Sequence, residues 1–193
     1  MLTNAQGRIL VRLARQTIAE HLHLPVDEPL GAEELAIPEF QARRGVFVTL
    51  NKRGSLRGCI GSLTGLESIV DGVRRHAVNA AFHDSRFSPV KAMEFPKLQI
   101  DVSVLTNPRP LVYSDGEDLI KKLQPGIDGV TLKGPGGTGA TFLPQVWEQL
   151  PDPQLFLGHL CRKAGLADTA WRSGALEVET YQVQHFEEQA ADG

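Results

Sequence analysis

Sulfur and aromatic residues are scarce in this chain: 193 residues hold two cysteines, two methionines, two tryptophans and two tyrosines. Cys59 and Cys161 lie far apart, so the cysteine framework of a small secreted domain is excluded, and two thiols cannot close a zinc site without histidines. No apolar run approaches the roughly 18 residues a membrane-spanning helix needs. Neither sign of charge dominates: Lys+Arg 20 against Asp+Glu 23 gives a net charge of -3, which offers no broad footprint for nucleic acid or an anionic membrane. Internal repeats, low-complexity tracts and long charge runs are missing too, and with them the case for a disordered chain. The first residues, MLTNAQGRILVRLARQ, carry arginines inside their apolar stretch and no small-residue cleavage site, so they do not read as a signal peptide. A reducing cytoplasm is the expected compartment. What is present is ordinary: 41% hydrophobic and 22% charged residues, enough for one domain, or one domain with a subsidiary lobe.

Leu10, Leu13, Ala14, Thr17, Ile18 and Leu22 recur at helical spacing behind Asn4 as the expected N-cap, and Pro25 ends the pattern. Residues 25–38 read as a connecting loop. Val46–Leu50, the turn Asn51-Lys52-Arg53-Gly54 and Ser55–Gly61 predict a hairpin. Apolar residues from Leu66 to Ala81 trace one helical face whose far end is alanine-rich, so a neighbour can approach closely. Leu98, Ile100, Val102 and Val104 alternate with polar residues as in a half-buried strand. Further on, residues 118–123 predict a short helix, and 128–133 with 138–143 a second hairpin across Gly134–Gly137. Asp152-Pro153 opens a helix that Gly165 closes. In the last strand Leu176 and Val178 fall in one phase and Tyr181 and Val183 in the other, which a β-bulge near Thr180 would reconcile. Hairpins separated by helices, with no regular strand-helix-strand rhythm, point to an α+β fold: an antiparallel sheet flanked by helices, and a smaller second lobe around the glycine-rich turn.

Chemistry concentrates in two short segments. In Leu56-Arg57-Gly58-Cys59-Ile60-Gly61, a thiol between glycines has little cover from its neighbours. Arg57, two residues away, would share its strand face and favour the thiolate. That describes a nucleophilic or ligand-contacting cysteine; the competing reading is a small apolar residue packed beneath a hairpin. In His83-Asp84-Ser85-Arg86-Phe87, Asp84 and Arg86 could orient a base or hold a carboxylate or phosphate, or could simply fix the exit of the helix with Phe87 plugging the core. His83 has a suitable unperturbed pKa for a general base. His76 lies about 10 Å from it along a helix, too far to share a metal, and no metal site is expected. Gly134–Gly139 lacks the Gly-Lys-Ser/Thr ending of a phosphate loop and reads as a hairpin tip. Trp147 and Trp171 are expected in core or inter-lobe packing.

The hexapeptide 56–61 resembles the AMMECR domain family, which includes protein A of the prokaryotic AmmeMemoRadiSam system. The likeness continues in family order through Gly45–Leu50, Asp84-x-Arg86-Phe87, Asp101–Thr106, Gly126-x-Asp128-Gly129-Val130, Leu143–Trp147 and Leu160–Leu166. It implies one domain over 1–193 with two unequal lobes and a cleft near Cys59; it delivers no established reaction and leaves the cofactor unknown. Cys59 and Asp84 match the family's motif as candidate catalytic residues, and Arg57, Gly58, Gly61 and Arg86 as candidate ligand-binding ones. Ser85 stands where the family often has proline, and His83 occupies a variable position. Two functions are expected from this. One is an enzyme or substrate-handling subunit using Cys59 beside the arginines, with glycine-flanked backbone N–H groups stabilising negative charge. The other is a non-catalytic adaptor docking onto a Memo-like protein, similar to metal-dependent extradiol dioxygenases, and a radical S-adenosylmethionine protein.

Overall fold

A computed structural model describes residues 1–188 and divides the chain into two compact units. Unit 1 comprises Met1–Leu105 and the described residues from Gln184 to Glu188; unit 2 comprises Thr106–Val183. The fold is α+β, with two antiparallel four-stranded sheets, one in each unit, and seven α-helices among the described residues.

In unit 1 helix α1 (Asn4–His21) starts one residue earlier than its capping pattern suggests. Thr3, not Asn4, is the N-cap, because Gln6 completes a reciprocal capping box with it. The segment expected as a loop contains two single turns of helix, α2 (Ala32–Leu35) and α3 (Pro38–Gln41). The hairpin β1 (Val46–Lys52) and β2 (Ser55–Ser62) is followed by α4 (Ile69–Phe82), which Ser68 caps, and by β3 (Leu98–Leu105). Val46, Val48 and Leu50 on β1, and Leu98, Ile100, Val102 and Val104 on β3, are buried with α1 and α4 in one core. The alanine-rich end of α4 permits the close approach anticipated for it. A Cβ on Gly58 of β2 would lie 2.2 Å from the Ala80 carbonyl oxygen.

Unit 2 holds β4 (Arg109–Pro110), α5 (Gly116–Lys122), the hairpin β5 (Gly129–Lys133) and β6 (Gly139–Phe142), α6 (Val146–Gln149), α7 (Pro153–Lys163) and β7 (Glu177–Tyr181). Asp115 caps α5 and Asp152 caps α7. Trp147, stacked on Phe156 at 3.7 Å between ring centroids, and Trp171 are both buried in this unit's core. No bulge interrupts β7: its register with β5 runs unbroken from Glu177 to Tyr181. The change of phase arises because Val178 faces the core while the Tyr181 ring lies on Gly129 across the other face. After Gln182 the chain enters β8 (Val183–Glu187), the strand beside β3 in the order β2-β1-β3-β8.

Candidate functional site

β2 is an edge strand, so alternate residues turn backbone N–H and C=O away from the sheet and must find other partners. At Cys59 both are taken by the segment leaving α4. The Cys59 N–H donates to Asp84 Oδ2 at 2.9 Å, and its carbonyl accepts from Arg86 Nη2 at 3.2 Å. Asp84 is buried and also accepts from Arg86 Nε at 2.9 Å and Nη2 at 2.7 Å. The Arg86 guanidinium, with help from the Cys59 and Arg86 backbone N–H groups, holds the Asp84 carboxyl well below the usual carboxylate range. The two motifs singled out in the sequence thus meet in space around the backbone of one residue, Cys59. With the Cys59 N–H given to Asp84, that donor is unavailable to an oxyanion.

Arg57 is placed differently from the expectation that it shares a face with Cys59. The β1–β2 register slips between Leu50 and Asn51, which pair with Gly58 and Leu56, so Arg57 is the extra residue of a bulge. Its guanidinium donates to Glu94 Oε1 at 2.8 Å and to the Ser88 carbonyl at 2.8 Å. Glu94 also accepts from Lys52 at 2.6 Å. Phe87 lies beside both arginines, its ring centroid 5.9 Å from Arg57 Cζ and 5.4 Å from Arg86 Cζ. Gly58 admits the Ala80 carbonyl, and Gly61 lies under the Phe47 ring. His83 is exposed, with Nδ1 at 3.2 Å from Asn79 Oδ1, and His76 is buried inside α4.

The Cys59 side chain is half-buried on the sheet face opposite the core. Directly across from it on β1 is Thr49, whose hydroxyl donates to Sγ at 3.2 Å; directly across from Thr49 on β3 is Asp101. Thiol, hydroxyl and carboxyl therefore form one row over three adjacent strands. Asp101 is 7% exposed; its Oδ2 accepts from Asn51 Nδ2 at 2.7 Å, and its Oδ1 is buried without a partner. Burial pushes the Asp101 carboxyl above its ordinary value. Beside it, Ser103 Oγ and His185 Nδ1 are 3.0 Å apart. Sequence reasoning passed over Thr49, Asn51, Asp101, Ser103 and His185. Thr49, Asp101 and Ser103 fall inside segments that carry the family resemblance, and Asn51 inside the expected turn, but none of these signals marks a site residue. Among the described residues no three His, Cys, Asp or Glu side chains gather as metal ligands, and no helix is long and apolar enough to cross a membrane.

A sequence model of the AMMECR1 family matches residues 11–186. A protein of Methanothermobacter thermautotrophicus is 37% identical over 193 residues, covering 97% of this chain and 96% of the relative. One from Methanosarcina barkeri is 40% identical over 197 residues, covering 100% and 95%. The crystal structure of an uncharacterised protein from Pyrococcus horikoshii superposes with a TM-score of 0.79 at 34% identity, covering all of this chain and 96% of that one.

Proposed function

Because the chain belongs to the AMMECR1 family, whose relatives supply no named activity, we propose from the site itself that it is a ligand-handling protein in which the Cys59 thiol meets the substrate, as an enzyme or as a substrate-bearing subunit. The two-sided hold on the Cys59 peptide carries this reading. Asp84 and Arg86 fix the residue through its backbone, and Cys59 is only partly buried, with the Thr49 hydroxyl as the polar neighbour of its sulfur. In these roles Asp84 and Arg86 are positioning residues. A cysteine serving only as core filler needs neither the hold nor the hydroxyl.

Alkylation kinetics test the reading. Cys161 is wholly buried, and burial pushes its thiol pKa up. The folded protein should therefore lose one thiol to iodoacetamide and the unfolded protein two. Near neutral pH the first should react several-fold faster than a small free thiol and vanish in Cys59→Ser. A Cys59 no faster than the free thiol would overturn the reading.

An adaptor role toward a Memo-like or radical S-adenosylmethionine protein is favoured by one observation. The arginine of each motif is already paired with a carboxylate within the chain, Arg57 with Glu94 and Arg86 with Asp84. Co-purification with each soluble partner decides it, and failure with both would remove it.

A further inference from the structure

The charges around the Cys59 row are paired off with one exception. Arg86 is committed to Asp84, Arg57 and Lys52 to Glu94, and Arg15 to Glu188. Asp101 makes no salt bridge among the described residues, although the charge of nearby His185 acts on it. Its Oδ2 takes a neutral amide N–H from Asn51, and its Oδ1 takes nothing. His185 turns Nδ1 to Ser103 and Nε2 toward Glu187 Oε1, 3.2 Å away. A buried carboxylate in this situation loses its hydration, and the charge of His185 and the Asn51 hydrogen bond return only part of what is lost, so burial dominates the upward shift of its pKa. The residue does not occupy an arbitrary place on the sheet. It stands in register with Thr49, and through Thr49 with the thiol, so two strand spacings put it about 10 Å from Cys59 along the row.

We infer that the ligand met by Cys59 carries a positively charged nitrogen that seats against Asp101. This rests on the proposed role of Cys59 and adds the chemical class of the ligand: an alkylammonium group at one end and the centre presented to sulfur at the other. The charge of an ammonium adds to the partial compensation that His185 gives the carboxylate. Each of the two arginines that suggest an anionic ligand in the sequence already has a carboxylate partner.

Charge-matched thiol reagents test the inference on the intact protein. Three methanethiosulfonates with the same four-carbon arm, ending in an ammonium, a methyl or a sulfonate group, differ only in the charge they bring along the row. Each transfers its thioalkyl group to Cys59 and releases methanesulfinate. Each rate is divided by that of the same reagent with a small neutral thiol. The ammonium reagent is expected to be about tenfold faster than the sulfonate one, as a single charge several ångströms away in a partly buried site would produce. Asp101→Asn should bring that ratio to within about twofold of unity. A ratio near one in the unaltered protein, or one favouring the sulfonate, overturns the inference while a fast methyl reagent leaves the Cys59 reading standing. A preference that survives in Asp101→Asn removes Asp101 from the assignment. Sluggish reaction with all three reagents overturns the role of Cys59 and the inference with it.

Discussion

A methyl group on Gly58 would come within 2.2 Å of the Ala80 carbonyl oxygen, whereas one on Gly54 would meet nothing within 4 Å, although that turn residue has φ +77°. Backbone on backbone cannot give way, so Gly58→Ala must push β2 and α4 apart, at about 2–3 kcal/mol. Gly54→Ala pays only for a left-handed backbone, about 1 kcal/mol. Urea midpoints of the two variants should rank Gly58→Ala clearly below Gly54→Ala; the reverse order would mean the contact with Ala80 is not what requires glycine. The turn glycine was legible in the sequence because hairpin chemistry is local. Gly58 invited the thought that a ligand approaches the backbone there, and what approaches is the protein's own helix. Asp101 was illegible for a different reason: its phase marks it as solvent-facing, and its burial is decided by pairing with a strand 50 positions earlier, where Asn51 donates to it.

Elements with a strong local period came through intact, including the helix of 153–163, the strand of 98–105 and both hairpins, since amphipathic spacing and capping act within a few residues. The bulge at Arg57 did not, because a strand period says which residues alternate and nothing about where the alternation slips. Its consequence is a latch. Arg57 of β2 and Lys52 of β1 converge on Glu94, in the segment after α4. The Arg57 guanidinium, followed by the Lys52 ammonium and the Lys91 backbone N–H, outweighs burial and holds the Glu94 carboxyl at about 2, against an ordinary 4.5. A depressed acid pKa contributes stability that is fully present above 4.5 and is lost as pH falls through about 2. Glu94→Gln should therefore be less stable than the parent at neutral pH, and the gap should close between pH 4.5 and 2 as the parent's own carboxyl takes up its proton. Denaturation midpoints across that range check it; a gap that stays constant would remove the ionised latch.

At the scale of the molecule, the connectivity makes unit 2 an insertion. Its two ends are tied to each other, the Thr106 N–H donating to the Gln182 carbonyl at 2.8 Å and the Gln182 N–H to Thr106 Oγ1 at 2.8 Å. Unit 1 is completed only by the returning chain: Phe186 lies against Gly7, Gln184 bonds the Leu2 backbone, and Glu188 pairs with Arg15 and accepts from the Ile100 N–H at 3.1 Å. Because β3 and β8 are neighbours in one sheet, a short glycine-containing turn can join Leu105 to Val183 in place of residues 106–182. The core of unit 1 draws on α1, α4, β1, β3 and Phe186 and on no residue of the excised segment. The shortened chain should therefore unfold in a single cooperative transition and keep the Asp84–Arg86 hold on Cys59. Its thiol is expected to alkylate at least as fast as in the full protein, and a further Phe186→Ala change should cost it about 3 kcal/mol or more. A non-cooperative melt would show that unit 1 needs the insertion to fold. A cooperative melt with a markedly slower thiol would show that the reactivity of Cys59 is not a property of its own sheet.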